Sequence, residues 1–172
     1  MNKALIIVDM QNDYYIGGKN ELTGIKAILD NIVKRINKAH EAGEEVIFIQ
    51  HIAKKDAPFF AEGSKGVELH KDLPIQSQDS IIVKHYPNSF RETNLHQLLQ
   101  SKNITHLTIC GAMTHMCIDT TVRAAFDLGY KINLVANACA TKDLSYKSEI
   151  IEAKYVQASF LAALNGTFCE VV

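Results

Sequence analysis

HLTICGAMTHMCIDTTVRAAFDLGY, His106 to Tyr130, sets the architecture of this chain. Leu107-Thr108-Ile109-Cys110 is a short apolar run of the kind a buried parallel strand shows. Gly111 breaks the run, and Thr114 offers a hydroxyl suited to capping a helix start. From Ile118 the apolar residues recur as Val122, Ala125 and Phe126, which is helical spacing, and Gly129 supplies a stop signal. A strand, a tight turn and a helix therefore meet within a few residues, with Cys117 expected in the first helical turn. Unpaired amides and the helix dipole there favour thiolate over thiol, so the expectation is a pKa below the free value of about 8.5. The same amides suit an oxyanion if the sulfur attacks a carbonyl. A single cysteine is more often a buried packing group; the rest of the chain has to decide.

Working outward, Ala4 to Val8 is a β-branched run that ends abruptly in Asp9 and reads as the first strand. Ile25, Ile28, Leu29, Ile32, Val33 and Ile36 follow helical spacing, which predicts an amphipathic helix over about 23–42. EVIFIQH (45–51) and SIIVK (80–84) read as the second and third strands, and Leu95, Leu98 and Leu99 mark a short helix. After the fourth strand at 106–110 come a fifth at 131–135, a long helix over about 145–164, and a final strand at 167–172. Alternation of this kind predicts a three-layer α/β/α fold with one parallel sheet of six strands, in the Rossmann-like order 3-2-1-4-5-6. The chain shows no internal repeat or linker, and its 172 residues suffice for one full core, so a single domain over 1–172 is expected. Residues 53–78 lack a period and contain Pro58, Gly63, Gly66 and Pro74, the pattern of a lid or binding loop.

In that order the chain reverses between strands 1 and 4, and ligands bind outside the carboxyl ends of strands at such a point. Asp9 ends strand 1, Cys117 follows strand 4, and Lys84 ends strand 3 on a long stem. A thiol needs a base to become a nucleophile, a nearby carboxylate can take its proton, and an ammonium stabilises both as anions. The carboxylate can later return that proton to a leaving amine. Among seven histidines, His51 and His85 follow strands on the same side, while His115 sits at the pocket mouth. No H-E-x-x-H or glycine-rich phosphate motif occurs. Tyr14, Tyr15, Phe59 and Phe60 read as packing. A net charge of −1 gives no electrostatic case for nucleic acid or an anionic membrane. No apolar run approaches the roughly 20 residues of a membrane span. Asp9 interrupts the N-terminal run too early for a signal peptide, and cysteines 110, 117, 139 and 169 lack C-x-x-C spacing, so free thiols in the cytoplasm are expected.

ALIIVDMQNDY at the N-terminus, IIVKHYPNSF in the middle and ICGAMTHMCIDTTVRAAFDLGY together resemble the isochorismatase-like cysteine hydrolases. ELHKDLP around Leu69 and the closing ASFLAALNGTF extend the likeness over nearly the whole chain. The resemblance implies a catalytic triad of Asp9, Lys84 and Cys117. It also implies a cis peptide just before Met113 and an oxyanion hole made by the Met113 and Cys117 amides. Gln11, His51, Phe90 and His115 are the implied substrate contacts, and homodimers or homotetramers the implied assembly. Nicotinamidases of this superfamily carry an Asp-x-His metal site after strand 2; here that position reads Gln50-His51-Ile52 and the following loop offers only His70. No metal or cofactor is therefore expected. The implied activity is hydrolysis of a C–N bond in a small amide, ureido or imide substrate through a cysteine thioester, with Asp9 activating the hydrolytic water. Two alternatives stay open: a vinyl-ether hydrolase using Asp9 as general acid, and a non-catalytic small-molecule binder.

Overall fold

The computed structural model describes residues 2–172. Its main sheet joins β1 (Lys3–Val8), β2 (Glu45–His51), β3 (Ser80–Lys84), β4 (His106–Ala112), β5 (Lys131–Ala140) and β8 (Glu170–Val171). All pairings in it are parallel, in the spatial order β3-β2-β1-β4-β5-β8. The six-stranded order read from the sequence is therefore present, with β8 as its sixth member. Each strand switches sides at every residue, so β1 divides the core in two. Ala4, Ile6 and Val8 face one cluster, shared with Leu95 and Leu99 of α2 (Leu95–Ser101), Val122 and Ala125 of α3 (Asp119–Asp127) and Leu164 of α4 (Ala153–Leu164). Leu5 and Ile7 face the other, with Leu29, Ile32 and Ile36 of α1 (Ile25–Glu41). The aperiodic loop completes that second layer by burying Phe60, Val67 and Leu73 against it. Among the described residues, no helix is long and apolar enough to cross a membrane.

The long helix expected over 145–164 starts only at Ala153. Residues before it form an antiparallel hairpin of β6 (Leu144–Tyr146) and β7 (Glu149–Ile151). The hairpin turns at Lys147, whose φ of 55° is left-handed, and Ile150 and Ile151 are β-branched residues suited to strands. Asp143 Oδ1 accepts from the Ala153 amide at 2.7 Å, so the cap of α4 lies ahead of the hairpin. β5 runs five residues beyond its expected end, after a register irregularity between Ile109 and Gly111 of β4.

Gly111 is required at this irregularity. Its φ is 125°, and a Cβ there would lie 2.1 Å from the Val8 carbonyl oxygen. Only glycine allows β4 to pass this close to β1 and then turn toward Cys117.

Candidate active site

Asp9, His51 and Lys84 stand at the carboxyl ends of β1, β2 and β3, where His51 and Lys84 are register partners. Asp9 takes a left-handed φ of 54° immediately after β1, and its amide donates to the Ile49 carbonyl at 3.0 Å. Lys84 reaches across the end of β2 and places Nζ 2.8 Å from Asp9 Oδ2. It also donates to the Pro87 carbonyl at 3.1 Å. Among the described residues, neither Asp9 oxygen has a well-aligned hydrogen-bond donor, although the contact with the ammonium is direct. Both side chains are 0% exposed. The Cys117 sulfur, an Asp9 oxygen and a His51 nitrogen lie within 4.8 Å of one another. The structure thus brings together all three residues expected to share the crevice, and His51 with them.

Cys117 does not sit in the first turn of an α-helix. Residues Thr114–Ile118 form a π-helical turn, and α3 follows from Asp119. Thr114 is no cap either: its hydroxyl donates to the Ala140 carbonyl at 3.1 Å, tying the turn to β5. The peptide between Ala112 and Met113 is cis. The Met113 carbonyl accepts from the Met116 and Ile118 amides at 3.0 and 3.2 Å. Among the described residues, the Met113 and Cys117 amides donate to no carbonyl outside their own turn.

The sulfur's ionisation runs against the expectation. Burial is the largest influence and Asp9 adds to it; together they outweigh Lys84 and push the Cys117 thiol well above its ordinary value. At neutral pH the resting group is a thiol, because desolvation disfavours the anion more than one ammonium favours it. Burial also works against the Lys84 charge, but the Asp9 carboxylate prevails and holds the ammonium above its usual range.

The remaining expected contacts divide. Gln11 is 0% exposed and its amide is spent on backbone: Nε2 donates to His51 and Val67 carbonyls at 2.8 and 2.7 Å, and Oε1 accepts from the His51 amide at 2.8 Å. It clamps the pocket wall and has no donor left for a substrate. His115 Nδ1 lies 2.6 Å from the Thr141 hydroxyl, with its ring edge-on to Phe160. Phe90 stacks at 6.1 Å on Tyr130, which immediately precedes β5, and lines a surface cleft with Ala124 and Asp127 of α3. His85 is used locally, Nδ1 lying 2.8 Å from the Ile52 carbonyl oxygen.

Tyr14 packs as the sequence reading expected. It is buried in an aromatic group, 4.7 Å from the Phe60 ring. Burial is the largest influence that raises its phenol well above the ordinary value, and Asp9, Cys117 and Asp13 add to it. Its neighbour Asp13 explains the placement. That carboxylate accepts from the Phe60 and Lys19 amides at 2.6 and 3.1 Å, and a Cβ on Gly66 would fall 2.1 Å from its Oδ1. Asp13 therefore pins the long loop over the site. Asp13 is the residue the sequence reading missed, and its available signal was an acid preceding Tyr14 in QNDY.

Among the described residues, the grouping of metal-ligating types is Asp9, His51 and Cys117 itself, with Lys84 already on the carboxylate; His70 does not join it. A cleft of about 590 Å³ between β5, α3 and the C-terminal strand opens near His106 and Lys131, at the amino ends of their strands and away from these groups.

A parallel α/β protein with a buried acid, ammonium and thiol at the carboxyl edge of its sheet is the class this fold and site define. The chain belongs to the isochorismatase family of hydrolases: residues 3–160 match its Isochorismatase domain. It is 40% identical over 172 residues to YddQ of Bacillus subtilis, an isochorismatase-family protein itself uncharacterised, covering 99% of this chain and 96% of that one. A crystallised protein of Oleispira antarctica, described as an isochorismatase hydrolase, superposes with a TM-score of 0.96 at 39% identity, covering 99% and 92%. The ureidoacrylate amidohydrolase RutB of Acinetobacter baylyi is 31% identical over 170 residues, covering 79% of this chain and 69% of its own.

Proposed function

We propose that this protein hydrolyses a C–N bond in a small amide, ureido or imide substrate, using Cys117 as nucleophile. The observation that carries the reading is the sealed contact of Lys84 Nζ with Asp9 Oδ2 at 2.8 Å beside the Cys117 sulfur. The similarity to an amidohydrolase supports the choice of a C–N bond.

Since burial holds Cys117 as a thiol, deprotonation accompanies attack and does not precede it. The sulfur forms a bond to the substrate carbonyl carbon as Asp9 takes the thiol proton. The Met113 and Cys117 amides receive the oxyanion, whose charge is worth most to stabilise in a water-poor site. Lys84 remains beside the carboxylate and limits the build-up of negative charge. Collapse of the intermediate breaks the C–N bond, and Asp9 returns its proton to the departing nitrogen. Water then cleaves the thioester to the acid and restores the thiol.

The test is intact-mass spectrometry during incubation with a panel of small amides and ureido compounds, beside Cys117→Ala. A mass increase on Cys117, with release of an amine that the variant does not give, is the expected result. Turnover retained in Cys117→Ala would overturn the reading in favour of acid catalysis by Asp9 alone. Absence of both adduct and turnover across the panel would favour a binder.

A further inference from the structure

Thioester hydrolysis requires a proton acceptor that water can reach. Asp9 and Lys84 are sealed, and Cys117 is only 5% exposed. Of Asp9, His51 and Cys117, which lie within 4.8 Å of one another, His51 meets solvent most, its side chain being 16% exposed. Its backbone is held on both sides. Gln11 holds the His51 amide and carbonyl simultaneously, both at 2.8 Å, and the Phe60 ring flanks the imidazole at 6.0 Å. Nδ1 faces Asp9 Oδ2 at 3.9 Å. That gap is too long for a hydrogen bond, so the imidazole nitrogen is not tied to the carboxylate. The charged and titratable groups around the ring are Asp9, Lys84, His85 and Cys117. Burial is the largest influence among them and, despite the pull of Asp9, keeps the imidazole neutral at neutral pH.

We propose that His51 is the base of the second half-reaction and returns the proton it takes to the departing sulfur. This rests on the cysteine-hydrolase reading and reassigns one step expected of Asp9. Water attacks the thioester carbonyl carbon while His51 Nδ1 takes one of its protons. The tetrahedral intermediate collapses with cleavage of the C–S bond, and the imidazolium gives its proton to the departing sulfur. The products are the carboxylic acid and the Cys117 thiol. Asp9, bound to Lys84 and shut away from solvent, serves the first half-reaction.

p-Nitrophenyl acetate is a probe that separates the halves: acylation releases p-nitrophenolate as a burst, and deacylation sets the steady rate. The wild-type chain should release one equivalent in the burst and carry an acetyl group on Cys117. His51→Gln should keep that burst, accumulate acetyl-enzyme, and turn over roughly 10²-fold more slowly. His51→Ala should behave alike and regain rate with added imidazole. Deacylation of His51→Gln at the wild-type rate would overturn this inference and leave the thioester reading intact. Joint loss of burst and steady rate in both variants, without imidazole rescue, would overturn it by giving His51 a merely positional role. Absence of a burst in the wild-type chain would overturn the thioester reading and this inference together.

Discussion

Asp9 and Lys84 face each other with no water between them, and that makes their coupling measurable. Removal of one member of a buried pair leaves an uncompensated charge and costs about 3–5 kcal/mol, whereas removal of both can be close to neutral. Asp9→Asn and Lys84→Met should each lower unfolding free energy by about that amount, and the double variant should cost clearly less than the sum. Urea denaturation of the four proteins reads the cycle; simple additivity would show that the pair is not energetically one unit. Hydrolysis should also be lost in all three variants. These positions were legible because each abuts the end of a strand pattern, and a parallel sheet gathers such ends at one edge. The charge state of Cys117 was not. A dipole argument drawn from sequence adjacency had no means of seeing that the sulfur is almost fully buried beside a carboxylate, where desolvation and like charge win.

Between residues and the whole lies the turn that carries Cys117. β4 is readable as an apolar run, but its exit depends on how near it passes to β1, a distance no periodicity encodes. Gly111 records that distance: its φ of 125° and the 2.1 Å approach of a Cβ to the Val8 oxygen exclude any side chain. Gly111→Ala should therefore cost at least the 1–3 kcal/mol or so of a strained backbone position and shift Cys117 away from Asp9. Thermal unfolding and the acetyl burst together test this; a variant with wild-type midpoint and burst would show that the close approach is dispensable. The β6–β7 hairpin escaped the sequence reading for a related reason. Its apolar residues suit helix and strand alike over so few positions, and the cap of α4 comes from Asp143, ten residues before the amide it holds. The one strong helix, α1, was legible because its whole apolar stripe meets the sheet.

Across the whole molecule, the two apolar layers explain both the readable sheet order and a pH dependence that no single motif announces. Burial raises the Cys110 thiol from its ordinary 9.0 to about 12 and the Cys169 thiol from 9.0 to about 11. Cys139 is raised in the same direction, chiefly by burial, and so is Cys117. A group whose pKa is higher folded than unfolded favours the fold in its protonated form. That stability is complete below the unfolded value and is lost as pH climbs toward the folded one. Each such thiol removes about 1.4 kcal/mol per pH unit within its own window. On the acid side, burial is the leading cause that lowers His51, His70 and His115 below 6.5. For these the sign reverses: their stability is present above 6.5 and is lost as pH falls through the folded values. The urea midpoint, measured under reductant, should therefore be highest between pH 6.5 and 9 and fall on the alkaline side as the thiols ionise. Cys110→Ala should flatten that alkaline limb while leaving the acid limb in place. An alkaline limb unchanged by this substitution would mean that the unfolded chain shields the thiol as well as the core does, and that the two-layer burial of β4 does not govern its ionisation.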